Sequence, residues 1–163
     1  MRDAGARRLL GEMIVAALWL GGSMLFAVSV APAAFAALPS RELAGAVVGR
    51  ILPVVFWSGA AAGGILLALE ARSPARTRRR ARLLAAAGVA ASCLIAQVFI
   101  APRIASLRAE LRAPLASLTV DDPQRVAFGR LHMFSVAWLG VAMVGAAVVM
   151  GAAAITLDRK DES

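Results

Sequence analysis

MIVAALWLGGSMLFAVSVAPAAFAA, residues 13–37, contains no charged side chain. A helix needs roughly 20 apolar residues to cross the hydrocarbon core of a bilayer, and this stretch is longer than that. Ile51 to Leu69, Leu83 to Ala101 and Leu131 to Leu157 are three further runs of the same kind. None alternates apolar and polar residues as a membrane β-strand does. In lipid, a helix satisfies its own backbone hydrogen bonds, whereas an open strand cannot. The four runs therefore predict an all-α integral membrane four-helix bundle, with residues 1–163 forming a single membrane domain.

Composition agrees. Of 163 residues, 60 % are hydrophobic and none is Tyr, against about 45–50 % apolar in a soluble domain. That excludes disorder, a nucleic-acid-binding arm and most soluble enzymes. The net charge of +8 comes almost wholly from Arg placed between the apolar runs. Such loops meet anionic lipid, so lipid at the Arg72–Arg82 loop is the expected partner, and nucleic acid is not. The single cysteine, Cys93, leaves no intrachain disulfide and no multi-cysteine metal cluster.

Basic residues also set the orientation. Arg2, Arg7 and Arg8 at the N-terminus, six arginines from Arg72 to Arg82, and Arg159 and Lys160 in the tail fall on one side. The other side has Arg41 and Arg50, then Arg103, Arg108, Arg112, Arg125 and Arg130 spread among acidic residues. The positive-inside rule places both termini in the cytoplasm, and the Ala- and Arg-rich, Lys-poor usage, by association with GC-rich bacterial genomes, suggests a bacterial inner membrane. The first run is too long for the ~7–15-residue apolar core of a signal peptide, so it is expected to stay as a helix.

Helix punctuation refines the limits. Pro39 ends the first helix and Ser40 caps the second. Ser73-Pro74 and Asp122-Pro123 read as N-cap and first helical residue of the third and fourth. The predicted helices cover about 9–37, 41–70, 74–101 and 123–157. Ile104, Leu107 and Leu111 recur at helical spacing. They suggest a short outer interfacial helix over about 103–112, or an extension of the third helix beyond a kink at Pro102.

The chain hints at a parallel 2+2 helix-hairpin repeat. Val30-Ala31-Pro32 matches Ile100-Ala101-Pro102, and Gly49-Arg50 with Trp57 matches Gly129-Arg130 with Trp138. Both halves would start on the same side, which relates them by an axis along the membrane normal.

Few residues are candidates for chemistry. Glu12 and Glu70 lie at the cytoplasmic ends of the first two helices, where a solvated or ion-paired end explains them. His132, the only histidine, lies one turn inside the outer end of the fourth helix. Gln97 is expected at a similar depth, and Ser135 shares the face of His132. With Arg130 and Arg50 these residues form a candidate polar site in the outer leaflet, read either as interhelical hydrogen bonding or as a small pocket. No metal site is assigned to Cys93, His132, Met24 or Met133, and a lone His cannot supply bis-His haem ligation. No nucleophile–base–acid set or phosphate loop is present. The expectation is a chain without enzymatic activity or cofactor.

Gly59 and Gly63 form a Gly-x-x-x-Gly face on the second helix, suited to close packing within the bundle or to dimerisation. Pro32 and Pro102 are expected to act in helix packing too. Trp19, Trp57 and Trp138 lie deeper than an interfacial aromatic belt and are expected to pack inside the bundle.

The segments Trp19-Leu20-Gly21-Gly22-Ser23-Met24-Leu25-Phe26, Val30-Ala31-Pro32 with Phe35, Arg41-Glu42-Leu43-Ala44-Gly45, Gly49-Arg50, and Phe128-Gly129-Arg130-Leu131-His132 with Ser135 resemble the transmembrane-protein-205-like family, also called domain of unknown function 4149. The resemblance spans about residues 10 to 157. It implies a four-helix integral membrane protein whose biochemical role is not settled. An animal member is associated with resistance to platinum drugs, a hint of metal or drug handling.

Three functional expectations follow. The first is a protein that binds or passes a small solute at its outer polar layer. The second is a structural or assembly subunit, joined to a homo-oligomer or a membrane-protein partner. The third, more remote, is metal or haem handling.

Overall fold

The computed structural model describes residues 2–72, 78–111 and 114–161. It contains four helices long and apolar enough to cross a membrane. The first, α1, runs Arg2–Leu25, passes through a π-helical turn at Phe26–Val30, and finishes as Ala31–Ala37. Next, α2 spans Arg41–Ala71. Helix α3 runs Arg79–Ile95, then a second π turn at Ala96–Ile100, then Ala101–Glu110. The last, α4, spans Pro123–Asp161. A 3-10 turn at Leu115–Ser117 lies in the link before α4.

The two π turns have one cause. Proline has no N–H, and its ring crowds the carbonyl four residues earlier. A π turn widens the helix locally and absorbs that misfit. Each turn ends two residues before a proline, Pro32 in α1 and Pro102 in α3. Pro102 therefore does not end the third helix. The segment 103–112, expected as a separate interfacial helix or as an extension of the third helix, is through Glu110 the end of α3 away from the chain termini. The same device at the same place in α1 and α3 gives the internal repeat a structural counterpart.

Helix starts follow local chemistry. The Ser40 hydroxyl accepts a bond from the Leu43 N–H at 3.2 Å, and the Asp122 carboxylate accepts from the Gln124 N–H at 2.8 Å. Each satisfies a backbone donor that the first helical turn leaves open. The expected Ser73-Pro74 start of the third helix lies outside the described residues. Helix α3 is instead seen from Arg79, after Arg78 in the left-handed region at φ 54°. Helix α1 begins at Arg2 rather than near residue 9.

The helices form a ring in which each packs on the next and α4 closes back on α1. The tightest packing is α2 on α3 and α3 on α4, and the loosest is α1 on α2. Glycines explain the tight pairs. A Cβ on Gly63 would lie 2.6 Å from the Ala90 backbone nitrogen, and one on Gly59 2.5 Å from the Cys93 Sγ and 2.7 Å from the Trp19 ring. A Cβ on Gly145 of α4 would meet the Ala85 carbonyl oxygen of α3 at 3.0 Å. Phe56, Leu66, Val89, Cys93 and Val149 fill the core, while Leu18, Leu84, Met133 and Val144 point outward. In a bilayer such outward residues meet acyl chains.

The tryptophans separate. Trp19 is buried and donates its indole N–H to the Val55 carbonyl of α2 at 3.1 Å. Trp138 is half-buried against the core. Trp57, expected inside the bundle, is 51 % exposed on its outer face. Its neighbour Phe56 takes the inward position, and adjacent helical residues cannot share a face.

Candidate functional site

At the end of the bundle that carries both termini, one polar residue from each helix meets the others. Arg82 of α3 lies at the centre. Its Nε–H donates to the Glu70 carboxylate of α2, and the same nitrogen lies 3.3 Å from Glu12 Oε2 of α1. Its Nη1 donates to the Thr156 hydroxyl of α4 at 3.0 Å. Thr156 in turn donates to the Ala152 carbonyl one turn back at 2.7 Å. Arg8, one turn before Glu12, brings its Nε to 3.4 Å from Glu12 Oε1.

This node is sealed. The side chains of Glu12 and Arg82 are 0 % exposed, and that of Glu70 is 1 %. Glu12 and Glu70 are therefore ion-paired, but they are not solvated helix ends. Burying charge costs several kcal/mol per ion unless partners compensate it, and here opposite charges arrive from three different helices. One turn further into the bundle, Ala16, Leu66, Ala86 and Ala152 are all buried and form an apolar layer above the node.

The node also changes the picture of the basic loop. Arg82 points into the bundle, and Arg79 donates to the Glu70 carbonyl at 3.5 Å. Arg8 reaches the Arg72 carbonyl at 3.3 Å. Of the described arginines in this loop, Arg72, Arg78 and Arg80 remain exposed.

The opposite end has a second set of contacts. Arg108 of α3 lies across Gly45 and Gly49 of α2, and Nη1 donates to the Gly45 carbonyl at 3.3 Å. Its guanidinium sits 5.2 Å from the Phe128 ring centroid of α4, within cation–π range. The Phe128 ring stacks on His132, with centroids 6.3 Å apart and planes 2° from parallel.

Beside this cap is a cavity of about 310 Å³ between α1, α2 and α4. Phe26, Pro32, Phe35, Leu52 and Leu139 supply its apolar wall, with His132 and Ser135 as polar members. Ser135 is buried, and His132 is exposed. The expected polar layer is thus divided. Gln97 is half-buried on α3, its Oε1 is enclosed without a hydrogen-bond partner, and it does not line this cavity. Arg50 and Arg130 are exposed and do not line it either. Pro32 lines it directly, whereas Pro102 is exposed on α3. Among the described residues, no group of three or more His, Cys, Asp or Glu is placed to hold a metal ion.

Residues 14–113, from the first helix through the third, match a known family. The chain belongs to the family described as domain of unknown function 4149. Within this DUF4149 chain the matched region holds Glu70, Arg82, Gln97 and both π turns. It stops short of α4, and so of Thr156, His132 and Ser135. No curated protein and no solved structure matches the chain significantly.

The node was missed in the sequence because its members lie far apart, and because Arg82 belongs to a run of arginines that resembles a solvated loop. One signal was available. The spacing from Glu12 to Pro32 equals that from Arg82 to Pro102, so the repeat places opposite charges at one depth.

Proposed function

We propose that this membrane protein is non-enzymatic and binds a small, largely apolar solute in the cavity between α1, α2 and α4. The carrying observation is that cavity's make-up, an aromatic and aliphatic wall with the buried Ser135 and with His132 at its edge. A concave, mostly apolar space with a few convergent polar groups suits such a ligand. In this reading the chain lies in a bacterial inner membrane with both termini cytoplasmic, so the cavity opens in the outer leaflet. The finer relationship to transmembrane-protein-205-like proteins, carried by Phe128 to His132 and Ser135, is part of the same proposal.

Photolabelling tests it. A diazirine-bearing hydrocarbon probe, activated on the reconstituted chain and mapped by mass spectrometry, should mark 26–35 and 132–139 above the other lipid-facing surfaces. Val48 also lines the cavity, and Val48→Trp, which fills it, should remove that excess. Even labelling of all faces, unaltered by Val48→Trp, would reject the reading.

A second reading, a structural or assembly subunit, is favoured by the loose α1–α2 contact. A groove of about 490 Å³ opens there, lined by Val15, Trp19, Ser23, Ser58 and Ile65 among others. Cross-linking in intact membranes from a cysteine placed at Ile65 should trap a second chain if this groove is an assembly surface.

A further inference from the structure

We propose that the cavity between α1, α2 and α4 takes a single-chain carboxylic acid, with its carboxylate on Ser135 and His132 and its chain lying further in. This ligand class rests on the cavity reading above. A serine within a helix can turn its hydroxyl back to a carbonyl of its own helix, and Ser58 and Ser106 do so at 3.0 and 3.1 Å. Ser135 does not. It is only 3 % exposed, makes no hydrogen bond to a described residue, and opens its Oγ into the cavity. His132, one turn away on the same face, lines the same cavity. Its ring nitrogens also have no hydrogen-bond partner among the described residues, and the parallel Phe128 ring holds the plane of the imidazole.

Side chains three apart on a helix are neighbours, ~5–6 Å between Cβ atoms. A carboxylate accepts through two oxygens, so it can take the Ser135 O–H and an imidazole N–H together, whereas an alcohol offers one oxygen. The walls set the direction of the ligand. His132 and Phe35 lie nearest the end of the bundle away from the chain termini, and Phe26 and Leu139 lie deepest. A polar mouth above an apolar floor suits an amphiphile with its head toward the membrane surface. Charge selects the head. Arg108 lies against Gly45 and Phe128, which puts it, with Arg50 and Arg130, at the depth of the mouth. Among the described residues none of these three has a carboxylate within ion-pair distance, and Glu42, Glu110, Asp121 and Asp122 sit at the helix ends or in the link. The field at the mouth is therefore positive and favours an anion. The volume of about 310 Å³ is at the low end for a small-molecule pocket, ~300–1,000 Å³, and suits one chain rather than the two of a phospholipid.

The test applies diazirine probes of equal chain length to the full chain in lipid nanodiscs: a fatty acid, the matching alcohol, and a phosphatidylglycerol carrying the same chain. The acid should label 26–35 and 132–139 about tenfold above the alcohol, the loss expected when a charge-assisted hydrogen bond is given up. Ser135→Ala should bring the acid down to the alcohol's level, while the hydrocarbon probe still marks the cavity and so reports an intact fold. Ser106→Ala, whose hydroxyl bonds within its own helix, should leave the acid's labelling as in wild type. Equal labelling of the cavity by acid and alcohol would overturn the carboxylate and leave the cavity reading standing. Even labelling of every face by all the probes would remove both. Labelling by the phosphatidylglycerol at or above the acid's level would overturn the single-chain ligand in favour of a lipid headgroup.

Discussion

Glu12 and Arg82 meet at 3.3 Å across the diagonal of the bundle, although their helices are not neighbours in the ring. Glu70 and Thr156 arrive from the other two helices and complete the cross. A polar contact between adjacent membrane helices is worth about 0.6 kcal/mol on average. A central charge shared by all four is a different case, because its removal strands every partner at once.

Arg82→Leu should therefore destabilise the chain by about 3–5 kcal/mol, the usual cost of leaving a buried charge uncompensated. Reversible unfolding in mixed detergent micelles would measure it. Thr156→Val keeps the volume and removes one acceptor, and it should cost about 1–3 kcal/mol.

The glycines should divide by what surrounds them. Gly63→Ala drives a methyl group into the Ala90 backbone and should cost about 1–3 kcal/mol through overpacking. Gly64→Ala meets open space, and its gain in helix propensity should leave the chain equal or more stable by up to ~1 kcal/mol. Thermal unfolding of the two variants side by side decides the matter.

Cys93 is fully buried, and its Sγ lies against Gly59. It should resist maleimide in the folded chain and react quickly once the bundle is opened by denaturing detergent. Rapid labelling under native conditions would show that α2 and α3 do not pack as described.

Sidedness can be read in a Cys93→Ala background. A cysteine at Arg80 should react with a membrane-impermeant thiol reagent only in inside-out vesicles. One at Val120, an exposed residue in the link before α4, should react only in intact spheroplasts. The reverse pattern would turn the protein over in the membrane.

Much of the frame was legible in the chain. The charge-free runs define the four helices, because their length and polarity leave a bilayer-crossing backbone no other way to bond. Ser40 and Asp122 mark starts that hold to the residue, since a cap is a local bond. Pro102 misled in part. Proline usually ends a helix, and nothing local to residues 96–100 announces a π turn. The outer polar site was only half legible. Depth along a helix can be counted, which brings His132 and Ser135 to the cavity, but the direction a residue faces cannot be counted across a π turn. That is why Gln97, inside the second π turn, does not join them, whereas Arg50 and Arg130 lie on helices without such a turn and are exposed. The ionic node was the least visible feature, because burial of Arg82 is a property of four helices together.

The π turn at Phe26–Val30 has a mechanical consequence. Below it, α1 is fastened by Glu12 and by the Trp19 indole. Above it, no hydrogen bond or ion pair among the described residues ties 31–37 to another helix, and this tip packs mainly on α2. Acyl chains can replace such contacts at little cost. The tip of α1 over 31–37 is thus anchored by polar bonds only at its root, and Ala31, Pro32 and Phe35 on it form one wall of the cavity. Entry from the lipid would require bending at a single joint, with the rest of the bundle staying in place.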